Sequence, residues 1–599
     1  MFRDMRRKNQ LLPQEEAEAM LRQGTSGVLS LLGDGGYPYG VPLSYVYHNG
    51  KLYFHCAKAG HKLDAIRREG KCSFCVIDQD QVVAEKYTTL FRSVIAFGQV
   101  RVLEDDGEKH AALEALGERF NPGQPESLEK EIAATWNSVC VLVLEIEHLT
   151  GKEAKELRNR GAGASPLKDF ARYTSLNVLG MIALSCYILA DTFFVSLGLG
   201  ADGLAALNLA IPIYNFIHGS GLMIGMGGGT RYSILQSQGN RREANKVFTH
   251  VLYLAAVLAA FFVAVGLLFA GDIVRLFGGT GNVFTMAQTY LRVILLFSPA
   301  FLMNNVLLCF VRNDGAPQLS MAAMIGGSLS NVVLDWVFIF PCGMGIFGAV
   351  FATGLAPIIS MAILSPHFFR RKNNFHPVAC RPQGRTLGRI LSSGAPSLVT
   401  EASSGIVIIA FNALIMGLEG NTGVAAYGVI ANLSLVVIAI YTGIAQGIQP
   451  ILSRSYGAGD RKSLTAILRY AMMTMVCVSV VIYGAVLACA PQIAAVFNSE
   501  GNATLQAIAE QGLRLYFIAC PFAGCNVVMA MYFTSTERPL PAHAISLLRG
   551  FFIILPMAFL LAAVGQMVGI WLAFPVTECL VALLAVVLFL RSQRKAAQV

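Results

Sequence analysis

The chain has 599 residues, 54% of them hydrophobic and 14% charged, and its mean hydropathy of +0.55 is too apolar for an ordinary soluble enzyme. The net charge of +9 raises nucleic acid as a partner, but the basic residues bunch between apolar runs, the pattern that membrane topology imposes. No nucleic-acid partner is expected. The apolarity is uneven, with a charged, mixed stretch up to about Pro166 and long apolar runs after it, so a soluble region precedes a membrane region.

The opening MFRDMRRKNQLLPQEEAEAM has charges where a signal peptide needs an apolar core. The soluble region is therefore expected in the cytosol, with its cysteines reduced. A short amphipathic helix from about Pro13 to Gln23 comes first. The run GVLSLLGDGGYPYGVPLSYVYHNGKLYFHCA then reads as strand, Asp-Gly-Gly turn, strand, Asn49-Gly50 hairpin and strand. In KLYFHC, Leu52, Phe54 and Cys56 alternate with Tyr53 and His55, so His55 points away from the Leu face. A helix begins near His61 and Lys62. Further strands lie in KCSFCVID, SVIAFGQVRVLED and VCVLVLEIEHLTG, with helices from about Glu108 and Glu126 between the last two. Six strands with peripheral helices predict a small closed or split barrel. Cys72 and Cys75 form a CxxC, but they lie within an alternating strand and lack a second ligand pair, so no metal is expected there. The nine cysteines of the apolar region behave as small hydrophobes.

YPYGVPLSYVYHNGKLYFHCAKAGHKLDAIRREGKCSF, RSVIAFGQVRVLED and the closing TGKEA resemble the FMN-binding split-barrel family. The branch is the nitroimidazole-resistance type related to pyridoxamine 5'-phosphate oxidase. The resemblance covers roughly residues 1–158 and implies a dimeric barrel with FMN near the subunit interface. It implies that basic groups around the GHK turn meet the phosphate, helped by helix N-terminal N–H groups. Carried onto this chain, it points to His55, His61, Lys62 and Ser93. The alternative is that His55 and His61 are solvated surface residues. An FMN site would not by itself name a reaction, so no catalytic residue is assigned.

From about Asp169 the apolar runs, measured at roughly 20 residues per span, give spans near 170–197, 206–235, 247–271, 285–311, 318–340 and 346–370. The second half follows near 390–417, 425–455, 465–489, 507–535, 541–564 and 568–591. The two halves are copies. At an offset of 220, Gly200, Gly203, Gly227, Ser233, Gly239 and Arg241 fall on Gly420, Gly423, Gly447, Ser453, Gly459 and Arg461. After a slip of two, Arg292, Pro299, Asn304 and Pro317 meet Arg514, Pro521, Asn526 and Pro539. Parallel repeats imply an even number of spans per half, about an axis along the membrane normal. Basic breaks such as QSQGNRREANK, RNDGAPQ and GAGDRK all fall on one side, which puts both ends in the cytosol of a multi-pass plasma-membrane protein.

Six plus six spans, the Asp191 run ADTFFVSLGLGADG, the break SQGNRREA with its echo AGDRKS, and NVVLDWVFI resemble the multidrug and toxic compound extrusion (MATE) family over about residues 168–595. The resemblance implies two six-helix bundles around a cavity open alternately to either side. It implies export of bulky, often cationic compounds in exchange for Na⁺ or H⁺. The ionisable residues point the same way, because an acid at mid-membrane is costly and usually lines a polar path. Asp191 lies in the first span, and Asn331 and Asp335 share one face of the fifth at i, i+4. Thr353 lies in the sixth. This hard-oxygen set suits Na⁺ or a proton shared between carboxylates, and it matches the family's first-bundle cation site. The competing reading is that Asp191, near a helix end, only caps or snorkels. The second bundle offers Glu401, five residues after Pro396, and Arg549 as substrate or cation groups. Phe411, the copy of Asp191, shows that the halves have diverged.

The expected architecture is thus multidomain: an N-terminal β split barrel (α+β) and an all-α polytopic membrane domain of twelve helices in two six-helix bundles. Its boundaries are 1–160 for the barrel, 161–169 for a linker, 170–371 for the first bundle, 372–389 for a basic loop and 390–599 for the second bundle. Expected partners are a small-molecule substrate and a second copy of the chain, through the barrel. The alternatives are a lipid-linked precursor flippase, a regulatory barrel that gates transport, and a flavin reductase whose product the membrane half exports.

Overall fold

The computed structural model describes residues 2–83, 88–154, 166–498 and 501–597. They form two compact units that divide at Pro166; most of the expected linker lies outside the described residues. In the first unit the strands are β1 (Ser26–Leu32), β2 (Pro38–Ser44), β3 (Val46–His48), β4 (Lys51–Ala57), β5 (Lys71–Val83), β6 (Thr88–Val102) and β7 (Val139–Glu153). They make one antiparallel sheet in the order β2-β1-β5-β6-β7-β4-β3. Its helices are α1 (Gln14–Gln23), α2 (His61–Arg68), α3 (Asp106–Phe120) and α4 (Pro125–Thr135).

There are seven strands where six are expected, because the second run divides at Tyr45. Its amide bonds the Thr25 carbonyl (3.1 Å), and its buried hydroxyl donates to the Leu21 carbonyl (2.8 Å). Beyond it the chain leaves β1 and pairs with β4. The two edges of the sheet are therefore neighbours in sequence yet unpaired, which makes the barrel split. The hairpin turns as its sequence demands, with positive φ at both Asn49 and Gly50. Leu52 and Phe54 join the inner core, where Phe74 stands 5.0 Å from Phe54 and from Tyr45. Tyr53 faces the other way, under Leu116 of α3. Cys72 is buried in the core and Cys75 points out of it, so the CxxC cannot grip one ion. Burial pushes the Cys72 thiol up to about 12 and that of Cys56, beside Cys140, up to about 11.

In the second unit, eight helices among the described residues are long and apolar enough to cross a membrane. The pair Gly281–Leu296 and Ser298–Asn313, bent by 48°, makes a ninth crossing. Three of the nine are double. Pro166–Ser237 would run about 108 Å if straight, far beyond a bilayer core of roughly 30 Å. It breaks at Gly200 (φ 66°, ψ −156°), and Gly384–Gly457 breaks at the repeat copy Gly420 (φ 58°, ψ −148°). Only glycine adopts that conformation without strain, and the duplication has kept both the residue and its geometry. The helix Ile554–Ala597 breaks at Gln566. Twelve spans result, in the expected order. The seventh begins at Gly384, inside the expected basic loop.

The bundles close on each other along the halves of their helices nearest the basic loops. A Cβ on Gly227 would sit 2.0 Å from the Ile390 carbonyl oxygen, and one on Gly394 would sit 1.8 Å from that of Met223. Small residues let the backbones approach this closely. Gln449 donates to Thr230 (3.1 Å) and Asn313 (3.2 Å), Arg231 holds Glu537 with both oxygens (2.9 and 3.0 Å), and Arg454 reaches Asp169 (2.7 Å). Gly394→Ala is expected to hold this seam apart. A cysteine placed at the buried Ser453, in a background freed of native cysteines, will then react with an impermeant maleimide. It will stay unlabelled when Gly394 is kept.

Candidate functional site

The four expected cation ligands come together. Asn331 and Asp335, one turn apart on the fifth span, and Thr353 on the sixth are buried, and Asp191 of the first span is buried with them. The Asp191 carboxyl meets that of Asp335 between the first and fifth spans. With its amide oriented to satisfy both ends, Asn331 donates to Asp335 Oδ2 (3.0 Å) and accepts from the Thr353 amide (3.2 Å). The Thr353 hydroxyl donates to the Ala349 carbonyl (3.1 Å), leaving its lone pairs to Tyr290 of the fourth span. One oxygen of each carboxyl, Asp191 Oδ1 and Asp335 Oδ1, is buried without any hydrogen-bond partner. Two acids this close, each with an unsatisfied oxygen, require a proton or a cation between them. Asp191 is thus buried against Asp335 and not turned to a helix end.

Three further aromatic groups border the pair and escaped the sequence reading. Besides Tyr290, the Tyr187 and Tyr214 hydroxyls bond each other (2.8 Å) at the wall of an inner cavity. Tyrosines in apolar helices carry no signal by themselves, since their ring is as much at home there as their hydroxyl.

In the second bundle Arg549 is not free. It sits in a π-helical turn, Leu548–Phe552, a distortion often found at functional positions. Its Nε and Nη2 donate to Glu578 Oε1 (3.1 and 2.8 Å), and Asn526 donates to Oε2 (2.6 Å). Glu578 is fully buried. It is not among the residues expected from the sequence, although an acid inside IWLAFPVTECLVALL is itself the signal for a buried partner. Glu401 stands apart, half-buried in the seventh span and packed on Gly219 of the second. It lies on the seam between the bundles.

In the barrel, His61 and Lys62 open α2 after Gly60, where no side chain caps the helix, so its first N–H groups are available to a phosphate. The His61 ring stacks on Tyr39 (4.3 Å) with Nε2 3.4 Å from Asp34. The hydrogen bond from Arg68 (2.9 Å), with His61 adding its charge, holds the Asp34 carboxyl below the usual carboxylate range. Lys62 instead lies toward Cys56. His55 is exposed on β4, and Ser93 lies on β6 opposite Ile77 and Lys152. The donors around Gly60 fit a phosphate, while the His61 ring is already engaged.

Two bundles of six spans, related by an internal repeat and meeting along one face, define a membrane transporter. The chain belongs to the MatE family, whose model matches residues 178–337 and 396–560. Residues 13–153 match the model of pyridoxamine 5'-phosphate oxidase. Among curated proteins it is similar to the multidrug export protein MepA of Staphylococcus saprophyticus, at 23% identity over 72% of this chain and 95% of that one. It is also similar to MepA of Staphylococcus aureus, at 22% over 69% and 90%. The fold is shared with a MOP superfamily transporter from Pyrococcus furiosus, with a TM-score of 0.68 at 23% identity over 73% of this chain and 97% of that one.

The second-bundle ion pair yields a stability prediction. Glu578→Gln strands a buried guanidinium and should cost about 3–5 kcal/mol, read as a lower unfolding midpoint of the purified protein. Replacing Arg549 and Glu578 together by methionine should restore most of the loss.

Proposed function

We propose that this chain is an antiporter that exports bulky organic compounds, cationic ones among them, against inward flow of Na⁺ or H⁺. The observation that carries the reading is the pair of buried carboxylates, each with an unpartnered oxygen. The MepA relatives, named as multidrug export proteins, support the substrate class. With the basic loops in the cytosol, the seam between the bundles closes the cytosolic side and leaves the site to load from outside. A cation or proton between Asp191 and Asp335 removes their repulsion and draws the first span onto the fifth and sixth. Asn331 orients Asp335, and Thr353 and Tyr290 complete the oxygen shell. Because both bundles pack on the first and second spans, that movement is the natural trigger for reopening the seam. Arg549 is taken up by Glu578, so Glu401 is the second-bundle acid left to meet a cationic substrate. Asp191→Asn or Asp335→Asn should abolish gradient-driven efflux from proteoliposomes while the protein stays folded. Wild-type rates in both variants would sink the assignment.

The barrel in this reading binds FMN by its phosphate, at His61, Lys62 and the N–H groups after Gly60, with His55 toward the same end of the sheet. Ser93, opposite Lys152 and so 11 residues along β7 from Val141, the partner of His55, would reach the cofactor only from a second subunit. FMN, when bound, supplies one- or two-electron redox chemistry. The residues named here would hold and orient it, and a barrel that reduces compounds before export is the second reading. Exposed apolar side chains at Val28, Leu32, Tyr37 and Ile77 support a dimer through this unit. Purified wild-type protein is expected to be yellow, and His61→Ala with Lys62→Ala to be colourless. Wild-type protein that stays colourless with excess FMN overturns this assignment. Deleting residues 1–160 should leave a monomer by mass measurement in detergent; a truncated dimer would mean the membrane helices hold the pair.

A further inference from the structure

A half-open cavity of about 70 Å³, walled mainly by the first bundle, runs from Tyr187 and Thr353, beside the carboxylate pair, to Arg312 and to Gln446 of the second bundle. Arg312 is only 2% exposed. Its Nη1 donates to Asn177 Oδ1 and to Gln446 Oε1 (3.2 Å), while Nη2 has only the sulfurs of Cys309 (3.5 Å) and Met226 (3.8 Å). Its Nε is buried with no partner at all. Every one of these acceptors is neutral, and among the described residues no Asp or Glu lies within ion-pair distance of the guanidinium. The contrast with Arg549, which the same fold pairs with a buried glutamate, is direct. Two other polar atoms lining the cavity, Asn304 Oδ1 and Ser360 Oγ, are also buried and unpartnered.

A buried guanidinium satisfied only by amides and sulfurs costs more than those bonds return, because its charge stays uncompensated. Arginine also presents parallel donors that match a carboxylate in shape, and it cannot shed its proton to escape the cost. The cavity is large enough for a halide or a carboxyl group, and the Ser360 hydroxyl that lines it can turn its hydrogen toward an anion. We infer that this cavity is an anion site in which Arg312 binds a small monoanion, either a free halide or the carboxylate of a transported compound. The carboxylate source rests on the export reading above; the anion site itself does not. If the carboxylate is the source, Arg312 would take the acidic group of a compound whose cationic group meets Glu401, and zwitterions become a preferred substrate class.

The test uses the purified full chain in detergent with no gradient, so a failure of ion coupling cannot mask it. At fixed Na⁺ and ionic strength, chloride is expected to raise the unfolding midpoint over gluconate, whose carboxylate comes with a chain of hydroxyls that would have to leave water unpaired. Arg312→Gln should weaken chloride binding roughly tenfold or more, and Arg312→Lys should weaken it less. Gln446→Glu places a carboxylate where Nη1 already donates, so it should stabilise the protein and abolish the chloride effect. That variant keeps the test decisive if Arg312→Gln does not fold. To separate the sources, fluorescence anisotropy compares a rhodamine bearing a free carboxylate with its methyl ester. Tighter binding of the acid, competed by chloride and lost in Arg312→Gln, assigns the site to substrate. A chloride effect with no preference for the acid assigns it to halide. Equal midpoints in chloride and gluconate, with no preference for the acid and no change in Gln446→Glu, overturn the proposal and leave Arg312 as a tie between helices.

Discussion

Charge buried in apolar helices is the constraint on which this molecule turns. An ionised group inside a bundle must find a counter-charge, a polar path or an ion, and the chain answers in three ways. Arg549 is neutralised within the protein by Glu578, which Asn526 holds in place. Asp191 and Asp335 are set against each other, two carboxyls in contact, each with one oxygen left unpartnered. Arg312 is surrounded by neutral groups. The first arrangement is complete within the protein, whereas the other two leave charge that the bundle's own side chains do not balance.

That asymmetry arises inside a duplicated sequence. Both halves keep the glycine break between their first two spans, with matching dihedral angles at Gly200 and Gly420. Both also keep an Asn or Asp capping the helix that follows the second span, Asn240 and its copy Asp460. These are backbone features, and the shared frame depends on them. The side chains pointing into the bundles have diverged: Phe411, buried on Tyr427, fills the place of Asp191. A common scaffold thus carries two different sets of buried polar side chains.

The barrel follows different physics in the same chain. Its core is aromatic and aliphatic, with Tyr45, Phe54 and Phe74 in mutual contact, and its charged groups stay at the surface in water. There the Asp34, His61 and Arg68 cluster costs little to maintain and leaves the start of α2 open to an anion.

Much of this was legible in the residues themselves. Span number follows from apolar length measured against a bilayer, the hairpin from Asn49-Gly50, and the barrel strands from alternation, all of which depend on neighbours in the chain. The repeat also showed itself, because polar and small residues recur in one register. Asn331 and Asp335 could be placed on one face from helical spacing alone. That Asp335 meets Asp191, that Arg549 finds Glu578 and that Arg312 finds no acid among the described residues could not be read this way. Those partners are far apart in sequence, and they meet or miss according to how helices rotate and cross when packed. Tyr45 divided a strand for a similar reason, since its hydroxyl was claimed by the Leu21 carbonyl in the last turn of α1. Local periodicity determined the elements, and packing between elements decided which charges were answered.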